Sequence, residues 1–307
     1  MTVPDAQLTD AVASAARAAR MDLVGFAPVE RFAHAPRMVR PEAHLPSART
    51  VVSMAIRYPN AMFENAGRGP ADNMFSMEVY QNQVIGQALY IAALEVARLL
   101  EDRGYDAIPM CVSGRWRVYP YKDIESDWMA DFSNRHAAVA AGLGEFGLHG
   151  LCITPQYGVR QRFISVITSA PFEPTPLYDG PALCDRCMQC VAQCPVKAID
   201  PRELQQVVVD NRTFEYATID HFRCAWSEQM NMITEEGPAC FGQTVRIEPP
   251  AGSIDDTQML TAFYRKCAAA GLQTGTHAMG RCMAVCIPPH LRGKQHAPAP
   301  MPGPEQP

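Results

Sequence analysis

The sequence has no apolar run of the roughly 18 residues that would cross a bilayer. Its N-terminus, Met-Thr-Val-Pro-Asp, has neither a charged segment followed by an apolar stretch nor a twin-arginine pair. An excess of basic residues is missing too, because the net charge of the 307 residues is -5, which gives the whole chain no electrostatic footprint for nucleic acid. We therefore expect a cytoplasmic protein, without membrane contact and without a nucleic-acid partner.

Cysteine, by contrast, is abundant: there are eleven, and most of them follow position 183. The run Cys184–Pro195 reads C-x2-C-x2-C-x3-C-P, the spacing that binds a 4Fe-4S cluster in bacterial ferredoxins. Its first three thiolates can reach one cluster, whereas Cys194, at the start of a helix, points toward a second cluster. Zinc would require two C-x2-C pairs on either side of a longer loop, and disulfides would require an oxidising compartment. The spacing therefore favours an iron-sulfur protein.

A second cysteine motif, Cys282-x3-Cys286 followed by Pro288, resembles the end of the first. Two-cluster ferredoxins exchange one ligand between their motifs, and this rule divides the cysteines into two sets. The predicted ligands of the first cluster are Cys184, Cys187, Cys190 and Cys286. The predicted ligands of the second cluster are Cys194, Cys224, Cys267 and Cys282, with Cys240 as an alternative to Cys224 or Cys267. A single cluster, with the later cysteines packed as small apolar residues, remains the alternative.

The pattern of apolar residues predicts an α+β protein. Helices are predicted over 5–21, roughly Phe75–Arg103 with Gly104 as its cap, Ser133–Leu143 with Ser133 as N-cap, 219–230 and 255–270. Strands are predicted over Leu23–Ala27, Thr50–Ile56 and Arg162–Thr168, and a small hairpin or loop over 205–216. This order favours an N-terminal α/β sandwich. The proline-rich stretch 171–181 suggests domains at 1–175 and 176–291, the second ferredoxin-like, before a disordered tail at 292–307.

Glycines are closely spaced between the predicted helix and the last strand of the N-terminal part. Gly142, Gly144, Gly147 and Gly150 would permit the close approach of a large planar cofactor or of an adjacent backbone. Spacing alone favours a chain of turns. Cys111 and Cys152 lie far from both cysteine motifs, and we expect both to be core residues.

Four passages resemble the corrinoid iron-sulfur reductases, the family of epoxyqueuosine reductase and the reductive dehalogenases. They are the opening helix leading into Asp22–Phe26, then Leu45–Ser53, Ala140–Gly147 and Cys184–Pro195. The stretch Ile153–Arg162 is similar to the dehalogenase branch. Together these passages cover most of residues 5–200 in the order found in that family.

The resemblance implies a cobalamin-binding α/β domain followed by a domain with two 4Fe-4S clusters. Electrons from an external donor of the ferredoxin or flavodoxin type would pass through the clusters to the corrinoid, which would reduce a small-molecule substrate. The implied cofactor-binding residues are Gly142, Gly144, Gly147, Gly158, Arg160 and Arg162. The implied candidates for a proton donor are Tyr119, Tyr121, Asp131 and His136. Residues of these types in a loop are also common as turn or surface residues.

The sequence also departs from that family. Met279 stands where a standard second motif would supply a cysteine, and a thioether is a poor iron ligand beside thiolate. The aspartate-containing passage of the epoxyqueuosine branch is not found, so the substrate is not identified. Two other classes stay open, namely a ferredoxin-type electron carrier without cobalamin and a structural zinc protein.

Overall fold

The computed structural model describes residues 5–61, 84–112, 132–229, 239–240, 243–244, 248–255, 257–262 and 280–293. The helices in this part are α1 (Ala6–Ala18), α2 (Pro41–His44), α3 (Ile85–Glu101), α4 (Asn134–Ala140), α5 (Gln189–Ala192), α6 (His221–Gln229), α7 (257–262) and α8 (Arg281–Val285). The strands are β1 (Leu23–Pro28), β2 (Thr50–Arg57), β3 (Ala107–Pro109), β4 (Glu145–Phe146), β5 (Cys152–Ile153), β6 (Gln161–Thr168), β7 (Ile199–Val209), β8 (Arg212–Ile219), β9 (Ala239–Cys240) and β10 (Gln243–Thr244).

The N-terminal part is built on a four-stranded sheet with the order β1-β2-β6-β3. Every neighbouring pair in it is antiparallel, and the central pair runs from Thr50 opposite Thr168 to Arg57 opposite Gln161. β2 and β6 are rich in β-branched and apolar residues, which suits strands that are covered on both faces. The mixed α/β class expected from the sequence is confirmed.

Helices cover both faces of this sheet. Alternate residues of a strand face opposite sides, and in β2 Val52 and Met54 join the cluster formed with α1 and α3, whereas Val51 and Ala55 join the cluster formed with α4. The α3 stripe of Leu89, Ala92, Val96 and Leu100 is fully or almost fully buried. A three-layer sandwich therefore forms the larger core.

Several predicted element bounds need correction. The start of the predicted Phe75–Arg103 helix lies outside the described residues, and the helix ends at Glu101 with Gly104 in the left-handed region at φ 82°. Ser133 occupies the N-cap position of α4, but its hydroxyl pairs with Nδ1 of His136 at 2.6 Å instead of capping a backbone amide.

The predicted small hairpin at 205–216 is longer than expected. β7 and β8 pair from Val209 opposite Arg212 back to Ile199 opposite Ile219, with an irregularity between Asp200 and Leu204. Two residues close the turn, and the first, Asp210, has a φ of 57°, which is typical of Asp in tight hairpin turns. Val207, Val209, Phe214 and Tyr216 pack on the core next to α4, and this apolar packing stabilises the strand pairing away from the turn.

The core crosses the proposed boundary at residue 175. Val209 and Tyr216 of the hairpin are buried in the same cluster as α4 and β2. The buried Arg31 adds polar links, because its Nη1 donates to the carbonyls of Ala140 at 2.6 Å and Thr175 at 2.7 Å. Its Nε lies 4.0 Å from the Asp210 carboxylate. The two predicted domains therefore share apolar packing, and their division stays a prediction.

Among the helices that the structure describes, none has both the length and the apolar character that a membrane crossing requires.

Candidate metal centre

The four cysteines predicted for the first cluster line one cavity. Cys184, Cys187, Cys190 and Cys286 border an open pocket whose empty volume, open solvent included, is about 350 Å³. Cys184 and Cys187 lie in the loop that leads into α5, and Cys190 lies within α5. Cys286 directly follows α8, which packs on α5. The chain thus brings together cysteines that are distant in sequence, as the exchange of ligands between motifs requires.

A single zinc ion and a 4Fe-4S cluster require different arrangements of four thiolates. Zinc draws four ligands to about 2.1–2.3 Å, yet among the described residues no group of His, Cys, Asp or Glu side chains is arranged to hold one metal ion. In a 4Fe-4S cluster each thiolate binds its own iron, so the sulfurs surround a larger volume. The nine cysteines whose side chains the structure describes are free thiols.

Burial and repulsion by neighbouring thiolates disfavour the thiolate forms of two of these cysteines. Desolvation, together with Cys184 and Cys187, raises the pKa of Cys190 to about 11. Desolvation, together with Cys184, Cys190 and Cys187, raises the pKa of Cys286 to about 12. Thiolates this close would need a bound cationic centre to offset their charge.

The loop that carries the cysteines has an unusual backbone. Arg186 and Met188, on either side of Cys187, have φ values of 53° and 63°. A left-handed conformation costs a residue with a side chain about 1–2 kcal/mol, and such strain concentrates at functional sites. The two reversals let three cysteines, each separated by two residues, border the same cavity.

The glycine-rich passage braces this loop. The Glu145 carboxylate accepts hydrogen bonds from the backbone amides of Leu183 and Cys184. The amide of Leu148 donates to Sγ of Cys184 at 3.4 Å, and amide donors of this kind tune the potential of iron-sulfur clusters. The passage between Gly142 and Gly150 therefore supports the cysteine loop directly.

His149 also lines the cavity. Its side chain is only 5% exposed, and its Nδ1 accepts a hydrogen bond from the amide of Leu151 at 3.1 Å. Burial and then the charge of Arg135 lower the pKa of His149 to about 4, so the ring is neutral near pH 7. Because Nδ1 is an acceptor, the single ring proton resides on Nε2.

The beginning of the predicted disordered tail is held at the same site. Arg292 lines the cavity and forms a two-pronged ion pair with Asp185, with Nη2 at 2.8 Å from Oδ1. This hydrogen bond holds the pKa of Asp185 below its usual value. Arg292 is the first residue of the predicted disordered tail, and this bidentate pairing links it to the cysteine loop. Residues 294–307 lie outside the described residues, and the disordered tail stays a prediction.

The predicted second ligand set is only partly described. Cys194 and Cys224 pack against one small core with Trp226, and Sγ of Cys194 accepts from the amide of Ala198 at 3.3 Å. Cys282 packs against a neighbouring core that also contacts Cys184. Cys267 lies outside the described residues, and Cys240 lies in β9. The composition of a second cluster stays a prediction.

The predicted cofactor glycines are closely surrounded by the chain itself. A Cβ on Gly142 would stand 2.0 Å from the carbonyl oxygen of Pro176, and one on Gly144 would stand 1.9 Å from that of Ile153. Glycine is therefore required at these positions because another part of the backbone lies against them. This agrees with the second explanation given above, the close approach of an adjacent backbone. Gly147 is crowded in the same way by the ring of His149, and Gly158 by the ring of Pro288.

The two predicted cofactor arginines lie at one end of the sheet. Arg160 is buried, and its Nη1 donates to Oδ1 of Asn60 at 3.2 Å. Arg162 hydrogen-bonds Tyr58, whose own pKa is raised by burial despite this cation. Both arginines are thus held by neighbours of the chain, and a role in binding cobalamin stays a prediction.

Of the four predicted proton donors, only His136 is described; Tyr119, Tyr121 and Asp131 lie outside the described residues. The His136 ring packs on Phe146 with centroids 4.8 Å apart. Desolvation and then the charge of Arg135 lower its pKa to about 3. With that pKa the ring is neutral near pH 7 and lacks the acidic proton of an imidazolium, so its surroundings favour a packing role.

The two remaining cysteines of the N-terminal part differ. Cys152 is buried in β5 as expected, and burial raises its pKa further above the usual thiol range. The expectation that Cys111 is a core residue is wrong, because the side chain is exposed. It follows the short edge strand β3, where the chain leaves the sheet.

The sequence predictions missed Glu145, Leu148, His149 and Arg292 as parts of this site. The first three stand in the glycine-rich passage, which the spacing favoured as turns. Their proximity to Cys184 depends on packing between segments more than thirty residues apart, and no local spacing carries that information.

Known proteins resemble this chain in sequence and in fold. No family model matches the chain. Over 165 residues it is 28% identical to an epoxyqueuosine reductase of Staphylococcus aureus, and the aligned region covers 52% of this chain and 38% of that protein. Over 80 residues it is 38% identical to a tetrachloroethene reductive dehalogenase of Sulfurospirillum multivorans, and the aligned region covers 25% of this chain and 16% of that protein.

The chain is therefore a relative of the epoxyqueuosine reductases and the reductive dehalogenases, which confirms the resemblance predicted from its sequence. The matched part spans well under half the length of either of these relatives.

Solved structures agree on the fold. A reductive dehalogenase whose structure suggests a mechanism for B12-dependent dehalogenation superposes with a TM-score of 0.51 at 21% identity, over 85% of this chain and 34% of that chain. An epoxyqueuosine reductase solved with a modified tRNA stem loop gives a TM-score of 0.42 at 20% identity, over 62% of this chain and 52% of that chain. The expectation against a nucleic-acid partner stays a prediction.

Proposed function

We propose that this protein is a reductase that carries two 4Fe-4S clusters and a corrinoid, and that it reduces a small-molecule substrate with electrons from an external ferredoxin or flavodoxin. The observation that carries the proposal is the convergence of Cys184, Cys187, Cys190 and Cys286 on one cavity. The names of the relatives support reduction as the reaction class.

The residues present fit a cluster at this cavity. Four soft thiol ligands are the donor set that iron-sulfur clusters take. Amide and side-chain donors surround them, including the amide of Leu148 on Cys184. Arg292 places a cation at the rim, where it also contacts Asp185 of the cysteine loop. These groups would hold the cluster and partly offset the negative charge of its thiolates.

A bound corrinoid would supply a cobalt centre that accepts electrons and reacts with the substrate. The support for it is the resemblance to reductive dehalogenases in sequence and fold. The chain would orient the substrate and supply a proton, and Tyr119, Tyr121 and Asp131 are the proposed donors. Arg160 and Arg162 are proposed to contact polar groups of the corrinoid at the end of the sheet.

Anaerobic purification followed by metal analysis tests this proposal. We expect about eight irons per chain, and an optical spectrum of added cobalamin that changes when the protein is present. Iron at that level with an unchanged cobalamin spectrum would contradict the corrinoid part. Zinc in place of iron would contradict the whole proposal. A tRNA stem loop and a set of small halogenated compounds then serve as alternative substrates in the same turnover assay.

The proton donor is tested with single substitutions. We expect Tyr119→Phe, Tyr121→Phe or Asp131→Asn to lower turnover by about 100-fold at the true donor, because general acid catalysis contributes about 10²–10⁴-fold. Iron content and cobalamin binding should be unchanged. His136→Gln is expected to keep its turnover, because the imidazole is already neutral. Full activity in the first three variants would show that none of them is the donor.

A second candidate is a ferredoxin-type electron carrier without cobalamin. This candidate is favoured by the surroundings of Gly142 and Gly144. Backbone atoms of the chain itself leave no room for a side chain at either position, so a bound cofactor is not needed to explain why these residues are glycines. In that case the reduced protein would pass electrons to a partner protein, and cobalamin would leave its spectrum and thermal stability unchanged.

A further inference from the structure

His149 is one of the residues that line the cavity bordered by the four cysteines. Its Nε2 atom is buried, and among the described residues it has no hydrogen-bond partner. A buried donor without a partner costs about 1–3 kcal/mol, so such an atom in a folded protein calls for an acceptor.

The ring is held in one orientation and one tautomer. The amide of Leu151 occupies Nδ1, which leaves the proton on Nε2. Gly147 makes room for the imidazole, because a Cβ there would stand 2.6 Å from Cε1. The chain therefore fixes a donor whose partner the protein does not supply within the described residues.

We propose that Nε2 of His149 donates a hydrogen bond to a sulfur of the cluster held by Cys184, Cys187, Cys190 and Cys286, and thereby raises the reduction potential of that cluster. This inference rests on the proposed function. Reduction adds one electron to the cluster, and hydrogen bonds to its sulfurs stabilise the added negative charge. Together with the amide of Leu148, the imidazole would stabilise the reduced form of this cluster.

EPR-monitored redox titration of the full chain with its clusters tests the proposal. We expect His149→Leu to lower the equilibrium constant for one-electron reduction of one cluster by about tenfold, a fall of about 59 mV. His149→Gln keeps an N–H donor at this position, so the reduction potential of the cluster should fall by less than in His149→Leu. His44→Leu serves as the matched control, because His44 packs on Phe132 and its removal should leave both potentials unchanged.

A second measurement needs no substitution at His149. Pulsed EPR of the reduced wild-type protein with ¹⁵N-labelled histidine should show a weak nitrogen coupling to one cluster. Wild-type iron content in His149→Leu with both potentials unchanged would overturn the inference. If that variant loses its iron, absence of the nitrogen coupling in the wild-type protein would overturn it instead. Wild-type protein that binds no iron would refute the proposed function itself.

Discussion

Replacing Cys286 with alanine should lower the iron content from about eight to about four per chain. Cys286 is far from the first three cysteines in the sequence, yet it borders their cavity. Its loss leaves one iron of the cluster without a thiolate from the protein. Removing even a residue that only hydrogen-bonds a metal ligand lowers metal affinity or activity by about 10–100-fold. Removing a ligand itself should therefore lower the rate of electron transfer from a reducing dye by more than about 100-fold.

Two further variants make this prediction specific. Cys111→Ala is the matched control, because Cys111 is an exposed free cysteine outside the cavity, and its iron content and dye activity should equal those of the wild type. Cys282→Ala should also lose about four irons, but from the other cluster, so the EPR signal that remains should differ from that of Cys286→Ala. An unchanged iron content in Cys286→Ala would refute the exchange of ligands between the two motifs.

Gly142→Ala is expected to be the most destabilising of three glycine substitutions. Gly142 has a φ of 72°, and a Cβ there would lie 2.0 Å from a backbone oxygen of Pro176. The left-handed conformation costs about 1–2 kcal/mol and overpacking adds about 1–3 kcal/mol. The sum of about 2–5 kcal/mol corresponds to a fall in Tm of roughly 5–10 °C, measured anaerobically by circular dichroism.

The two comparison variants separate these causes. Gly104 also has a positive φ, at 82°, but no described atom lies within 4 Å of its Cβ, so Gly104→Ala should show the conformational cost alone. Gly144→Ala should show the steric cost alone, because its Cβ would stand 1.9 Å from the Ile153 carbonyl oxygen. A Tm for Gly142→Ala equal to that of Gly104→Ala would contradict the close approach to Pro176.

The main elements of the sandwich followed from the sequence because their cause is local. The apolar stripe of α3 and the β-branched runs of β2 and β6 appear in the sequence with the period of the structure they form. Element ends were less well predicted, since Ser133 pairs with His136 rather than with the backbone. The hairpin of β7 and β8 also extends further than its turn signal indicated.

Long-range packing decided the rest of the site. Cys111 is exposed, although a core residue was predicted, and Arg292 pairs with Asp185 of the cysteine loop. Both outcomes depend on which distant segment lies beside the residue. Composition describes the neighbourhood in the sequence, whereas exposure and ion pairing depend on the neighbourhood in space.

By itself, the sequence determined that this protein has an α/β sandwich and a cysteine run with the spacing of a 4Fe-4S cluster. The relation to two families of reductases could also be predicted from it. Only the tertiary structure decided that Glu145, Leu148 and His149 brace and line the cysteine cavity. The physical reason is that ligand spacing is set along a few consecutive residues. The donors around a cluster are supplied instead by whichever segments the packed core brings against it.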